Sequence, residues 1–265
     1  MYNNTQQHST RRIEMADNHI KNILKDVLKH THGLGIFEMV KITGDLEKTE
    51  IQTVDPEKTV IFKGNTVTPV PEFADATLGL SRMGVLQGYL QYPGFDSEDA
   101  TVKIETQVRN EVEVPVEVAF KSTDGNDANY RFMLADVVNQ QMKDITFKGA
   151  DFEVNIVPTA KNLKDLGYFN GILGAYEATF SPKTDGTDLT FHIGDGVSDR
   201  AKVHINGNID GGIKREWKWP LDIVLKILRL SDSANCVLSI NDSGLMQIKV
   251  LSGLGEYTYL LPAKG

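Results

Sequence analysis

The sequence predicts an α+β fold built from two similar domains. Three observations carry that prediction. A helix–strands–helix–strands order runs through the chain twice. Short segments echo between the halves in register with that order. The length, 265 residues with 40% hydrophobic side chains, suffices for two cores at roughly 150 residues per domain.

Residues 18–30, NHIKNILKDVLKH, open the first half. Ile20, Ile23, Leu24, Val27 and Leu28 form one apolar stripe at helical spacing. Asp17 or Asn18 suits the cap, and Gly33 and Gly35 follow the end. Strands are expected at Phe37–Ile42, Thr49–Val54 and Thr59–Lys63. A second helix is expected over 78–90, although Gly79, Gly84 and Gly88 each cost about 1 kcal/mol relative to Ala. Three more strands follow, the last at 128–136. The second half repeats the order: a strand run within Ile145–Val157, a helix over 159–173, strands at 175–181, 188–193 and 201–206, and a helix over 217–230 with Pro220 in its first turn. Strands at 235–240 and 245–251 and a final run from Glu256 complete it.

The echoes are specific in position. Asp96-Ser97-Glu98-Asp99-Ala100-Thr101-Val102 follows the second helix, and Asp232-Ser233-Ala234-Asn235-Cys236-Val237-Leu238 follows the fourth. Both halves close on an aromatic strand, Tyr130-Arg131-Phe132-Met133-Leu134 and Tyr257-Thr258-Tyr259-Leu260-Leu261. The organisation read from this is a flexible polar tail at 1–14, a first domain at 15–136, a connector at 137–147 and a second domain at 148–265. The tail has no apolar core like that of a secretory signal, and no apolar run is long enough for a transmembrane helix. A cytoplasmic protein is expected, in the host cytoplasm if viral.

Charge is segregated along the chain. Lys plus Arg number 28 against 36 for Asp plus Glu, a net charge of -8. Yet the four helical windows hold nine basic residues and three carboxylates. The basic set is Lys21, Lys25, Lys29, Arg82, Lys161, Lys164, Lys218, Lys226 and Arg229. Lys21, Lys25 and Lys29 repeat every four residues and are expected on one exposed face. A basic surface in an acidic chain attracts phosphate locally and repels it elsewhere. These nine residues are the expected DNA-binding set.

Catalytic patterns are absent. Gly33-Leu34-Gly35 and Gly253-Leu254-Gly255 lack the third glycine and helix context of a dinucleotide site. No histidine or carboxylate group has metal-ligand spacing, so no metal, no cofactor and no enzyme activity are expected. Cys236 lies in an apolar run and reads as a buried structural thiol.

The last 47 residues, WPLDIVLKILRLSDSANCVLSINDSGLMQIKVLSGLGEYTYLLPAKG, resemble the C-terminal end of sliding clamps of the proliferating cell nuclear antigen type. Those end in a short aromatic-led helix, a strand, an acidic turn, a strand, a Gly-rich turn and a Tyr-Leu-Leu/Ala-Pro-Lys strand. Here these are Trp219–Leu230, Val237–Ile240, Asn241-Asp242, Leu245–Val250, Gly253–Gly255 and Tyr259–Lys264. Length and loops are closer to the processivity clamps of tailed phages. The resemblance implies a DNA-clamp fold, with helices lining the inside of a ring and β-sheets outside. It implies a homotrimer that encircles double-stranded DNA without reading sequence and tethers a DNA polymerase, opened by an ATP-dependent clamp loader. It also implies a partner-binding pocket at Tyr259, Leu260, Leu261 and Pro262. The competing expectation is a β-rich structural virion protein that oligomerises through sheet edges.

Overall fold

The computed structural model describes residues 19–109, 111–206, 209 and 211–263. The tail expected at 1–14 lies outside these residues. The chain folds as two compact units. Unit 1 comprises the described residues of Met1–Thr53 and Asn65–Asp144; unit 2 comprises those of Val54–Gly64 and Ile145–Gly265.

Unit 1 opens with helix α1 (19–30). Its apolar stripe is buried as the spacing predicts, with Ile20, Ile23, Leu24, Val27 and Leu28 all nearly inaccessible. Strands β1 (Val40–Gly44) and β2 (Thr49–Val54) follow, then β3 (Ile61–Thr66), most of which belongs to unit 2. Strand β4 (Ala76–Leu80) pairs antiparallel with β1. The expected helix over 78–90 is therefore too long at its start. Ala76–Leu80 is buried on both sides, and Gly79 explains why a strand wins there. A Cβ on Gly79 would lie 3.0 Å from side chains of Met133 and Val138, so only glycine fits the close approach. Arg82 turns the chain with φ 50°, and helix α2 runs over Met83–Gln91. A four-residue helix, α3 (Pro93–Asp96), completes the turn. Strands β5 (Thr101–Arg109), β6 (Val112–Lys121) and β7 (Asp127–Arg131) form a meander. Helix α4 (Ala135–Gln141) then seats Val138 against β4. No helix was expected at 135–141, where strand and connector were read.

Unit 2 begins its own repeat with β8 (Val154–Ile156), far shorter than the expected 145–157 run. Helix α5 (Ala160–Leu173) starts with a reciprocal cap. Thr159 Oγ1 accepts from Asn162 N–H at 3.1 Å, and Asn162 Oδ1 accepts from Thr159 N–H at 3.0 Å. Strands β9 (Thr179–Asp185), β10 (Asp188–Ile193), β11 (Ala201–Asn206) and β12 (Trp219–Pro220) form one sheet in the order β11-β10-β9-β12. The same order, β4-β1-β2, stands in unit 1. Helix α6 (Leu221–Leu228) is two turns rather than the expected 217–230, because Trp219 and Pro220 are held extended by β9. Five of its eight residues are buried and apolar. At about 1.5–3 kcal/mol each, they stabilise it far more than helix propensity could.

Strands β13 (Cys236–Ile240), β14 (Leu245–Leu251) and β15 (Gly255–Pro262) close the chain. They lie with β8 and β3 in the order β3-β15-β14-β13-β8. Phe62 on β3 sits between the rings of Tyr257 and Tyr259 on β15, at 5.5 and 5.1 Å. This pairing is why residues 54–64, read from sequence as part of the first domain, belong to unit 2.

Candidate nucleic-acid and partner-binding surfaces

The three lysines of α1 do not share one fate. Lys21 is only 5% exposed, and its Nζ donates to the carbonyls of Asp96 at 3.1 Å and Ser97 at 3.0 Å. Those carbonyls end α3, where a cation is favoured. The expectation that Lys21 faces DNA is thus corrected: its charge is spent inside the unit. Lys25 is half-buried and ion-paired with the Asp96 carboxylate. Lys29 is exposed. The end of α3 thus ties down the first two, and only Lys29 stands in solvent.

The remaining basic residues are exposed, but several are matched by acids one turn away. Lys161 pairs with Asp165, and Lys226 pairs with Asp222 at 2.9 Å. Arg229 follows α6, donating weakly to Leu163 O at 3.5 Å, and its guanidinium covers Gly167 of α5. Arg82 and Lys218 are exposed but lie outside the helices, before α2 and β12. Among the described residues, no carboxylate lies within ion-pair distance of Lys29, Lys164 or Lys218. With their observed bounds, α1, α2, α5 and α6 hold six lysines (Lys21, Lys25, Lys29, Lys161, Lys164, Lys226) against Asp26, Asp165 and Asp222. The excess is three, not six, so the basic surface is thinner than the sequence windows suggested.

Sequence reading missed an apolar ladder on α5. Tyr168 is 67% exposed, Ile172 52%, and Tyr176 just beyond the helix 85%. Their four-residue spacing continues the face of Lys164. The signal is in the sequence, as three large apolar residues at four-residue intervals. This helix packs on β11, the outer strand of its sheet, where Asn162 Nδ2 donates to His204 O at 3.3 Å.

The expected partner pocket is mostly core. Tyr259, Leu260 and Leu261 are buried, because β15 is covered on both faces and flanked by β14 and β3. Trp219 Nε1 donates to Leu261 O at 2.8 Å in the interior. Only Pro262 is exposed. Near it, Ala263 N–H donates to Gly244 O at 2.8 Å, and the ring of Trp217 covers Gly244, whose φ of 89° suits the turn. Trp217 Nε1 donates to Asp242 O, while the Asp242 carboxylate accepts from the N–H groups of Arg215 and Lys214. Those N–H bonds hold its carboxyl below the usual range.

No three His, Cys, Asp or Glu residues among those described are arranged to hold a metal ion. Cys236 is buried, and desolvation pushes its thiol up to about 11, which makes it a poor nucleophile. No helix among the described residues is long and apolar enough to cross a membrane.

The fold of these two units matches several solved proteins. The solved structure of the C-terminal region of FEN-1 bound to A. fulgidus PCNA matches with a TM-score of 0.66 at 11% identity, over 92% of this chain and 96% of that one. The chain has the DNA sliding-clamp fold. PCNA from Thermococcus kodakaraensis matches at a TM-score of 0.63 and 15% identity, over 90% and 95% of the two chains. The PCNA2–PCNA3 complex of Sulfolobus tokodaii matches at 0.59 and 10%, over 95% and 97%. No family profile matches the sequence, and no curated protein does. The likeness is thus one of fold, at 10–15% sequence identity.

Proposed function

We propose that this protein is a non-catalytic, cytoplasmic sliding clamp, a homotrimeric ring that encircles double-stranded DNA and holds a DNA polymerase to it. The observation that carries this reading is the pairing of β3 with β15. In the internal repeat β3 corresponds to β11, and β15 corresponds to β7. Among the described residues, both β11 and β7 are outer strands of their sheets. The pairing made once within the chain can therefore be made again between copies, β11 of one against β7 of the next. Such head-to-tail contacts close a ring if the rotation allows. Tyr168 and Ile172, on the helix that packs on β11, supply apolar surface for the same contact.

The sparse cations suit this task. Lys29, Lys164, Arg82, Lys218 and Arg229 offer scattered, sequence-independent phosphate contacts. A ring that gripped phosphates tightly could not slide, so retention comes from topology. An ATP-dependent loader would open the ring. Polymerase would dock around the C-terminal end, now centred on Pro262 and Trp217 rather than on the buried Tyr259, Leu260 and Leu261. The virion-component reading is not favoured by the three solved neighbours named above, each of which contains PCNA.

The test joins mass to topology. The protein should sediment as a trimer, and once loaded it should stay on closed circular DNA and leave within minutes of linearisation. A monomer at high concentration, or retention unchanged by linearisation, would end the clamp reading.

A further inference from the structure

The hairpins that follow the second helix of each repeat differ in length. Strands β5 and β6 run for nine and ten residues, whereas β13 and β14 run for five and seven. In unit 2 the closing strand covers its hairpin to the turn. β15 pairs with β14 along all of Leu245–Leu251, and Ala263 N–H reaches Gly244 O. In unit 1 the closing strand leaves early. β7 pairs with β6 only over Glu117–Lys121, and the last bond is Phe132 N–H to Val116 O at 2.9 Å. The chain then turns through Leu134 into α4. Among the described residues, Val112–Pro115 keep a neighbour on the β5 side alone.

This open edge borders a groove of about 460 Å³ within unit 1. Val112, Val114, Phe132 and Leu134 line it, with Asp75 and Asp136 among them. Val112 and Leu134 are about half exposed. Arg109 is the one cation of the lining, against those two carboxylates. Glu111 and Glu113 add two exposed acids at the same end of the hairpin. An unpaired edge beside an apolar groove invites another strand. Acids on that edge oppose a second copy of the same edge and favour a basic segment. Unit 2 shows what fills the equivalent place: the extended apolar run Leu260-Leu261-Pro262-Ala263.

We propose that this groove docks an extended peptide of a partner protein. The peptide adds as a strand along Val112–Val114, since Pro115 has no N–H to donate. Its apolar side chains rest on Val114, Phe132 and Leu134, and a Lys or Arg lies beside Asp75 and Asp136. The site is separate from the C-terminal end around Pro262, and it does not depend on whether the protein encircles DNA.

A fluorescein-labelled peptide Tyr-Leu-Leu-Pro-Ala-Lys-Lys, patterned on the strand that fills the place in unit 2, is the probe. Titrated with the full-length protein, it should bind saturably by anisotropy. Leu134→Arg should weaken binding at least about tenfold, and Asp136→Lys about threefold at low salt. Leu46→Arg, at an exposed apolar residue of the β1–β2 turn, should bind as the unchanged protein does. Leu134 is half exposed, so its variant should keep the same melting temperature. Hydrogen exchange should show new protection at 112–116. The proposal falls if the peptide fails to bind at millimolar concentration, if Leu134→Arg binds unchanged, or if protection appears on β14 instead. It also falls if removing residues 1–12 tightens binding tenfold, because the groove would then belong to the chain's own N-terminal segment.

Discussion

Helices α1 and α5 hold the same place in the two repeats, yet they treat their lysines in opposite ways. On α1, Lys21 is sunk onto the carbonyls that end α3, and Lys25 is tied to Asp96. On α5, Lys161 and Lys164 both stand in solvent. Spacing is four residues on α1 and three on α5, and both place the lysines on neighbouring turns, so spacing does not decide. What decides is whether a neighbouring helix ends close enough to offer carbonyl oxygens. α3 does so in unit 1; in unit 2 the neighbour α6 instead extends its own cation, Arg229, over α5. A lysine ladder in a sequence thus reports candidates for a charged surface and candidates for internal ties together.

Breaking the internal tie should give the largest effect. Lys21→Met keeps the buried stem but leaves the Asp96 and Ser97 carbonyls without their cation. Charge-assisted bonds of this kind contribute about 1.5–3 kcal/mol. Chemical denaturation should show a loss in that range, against less than about 0.5 kcal/mol for Lys164→Gln. Equal losses would mean that the two helices do not differ as described.

Next comes pH. α1 carries His30, fully buried, while the buried residues of α5 are Asn162, Leu166 and Leu173. Burial lowers the His30 pKa to about 4, although nearby Asp26 pulls it the other way. The unfolded chain then binds the proton more readily than the folded one. The stabilisation is complete above the unfolded value of about 6.5 and is lost as pH falls toward 4. Unfolding free energy should drop on the order of 2 kcal/mol between pH 7 and 5 from this group. His30→Gln should flatten that slope, and a slope unchanged by the substitution would place the pH sensitivity elsewhere.

A subtler contrast concerns DNA. Replacing Lys29 and Lys164 together by Gln should lower the salt dependence of DNA retention, by less than the roughly 0.9 log unit per firm phosphate contact. Lys21→Met should leave that slope alone. The smallest effect should come from Asp96→Asn, which frees Lys25 from a partly exposed pair. Stability should change by less than about 1 kcal/mol, and retention should improve slightly at low salt. No gain in retention would show that Lys25 does not face DNA.

Much of the architecture could be read from the residues alone. The apolar stripe of α1 and the strands Thr49–Val54, 188–193, 201–206 and 245–251 stand where alternation and spacing put them. Misreadings occurred where a distant neighbour overrode local pattern. Leu78–Leu80 looked helical because their strand partner β1 lies more than thirty residues earlier. α4 was hidden because only Val138 of its seven residues is buried. The surfaces were harder. Exposure of Lys29 and burial of Lys21 depend on α3, which no periodicity links to α1. Tyr259, Leu260 and Leu261 carried the resemblance because they are core, and for the same reason they are not a surface.

Strand β3 carries a consequence for how the protein is made. One of its neighbours, β15, lies roughly 190 residues later in the chain. During synthesis that edge of β3 stays open, and Phe62 lacks its aromatic partners, until β15 arrives. The second unit cannot be finished from the second half of the chain alone. A fragment starting at Ile145 would lack a strand, while one ending at Asp144 would keep β2 beside β3 but leave the other edge of β3 without β15. The aromatic stack of Phe62 with Tyr257 and Tyr259 is therefore a late event, whatever has folded before it.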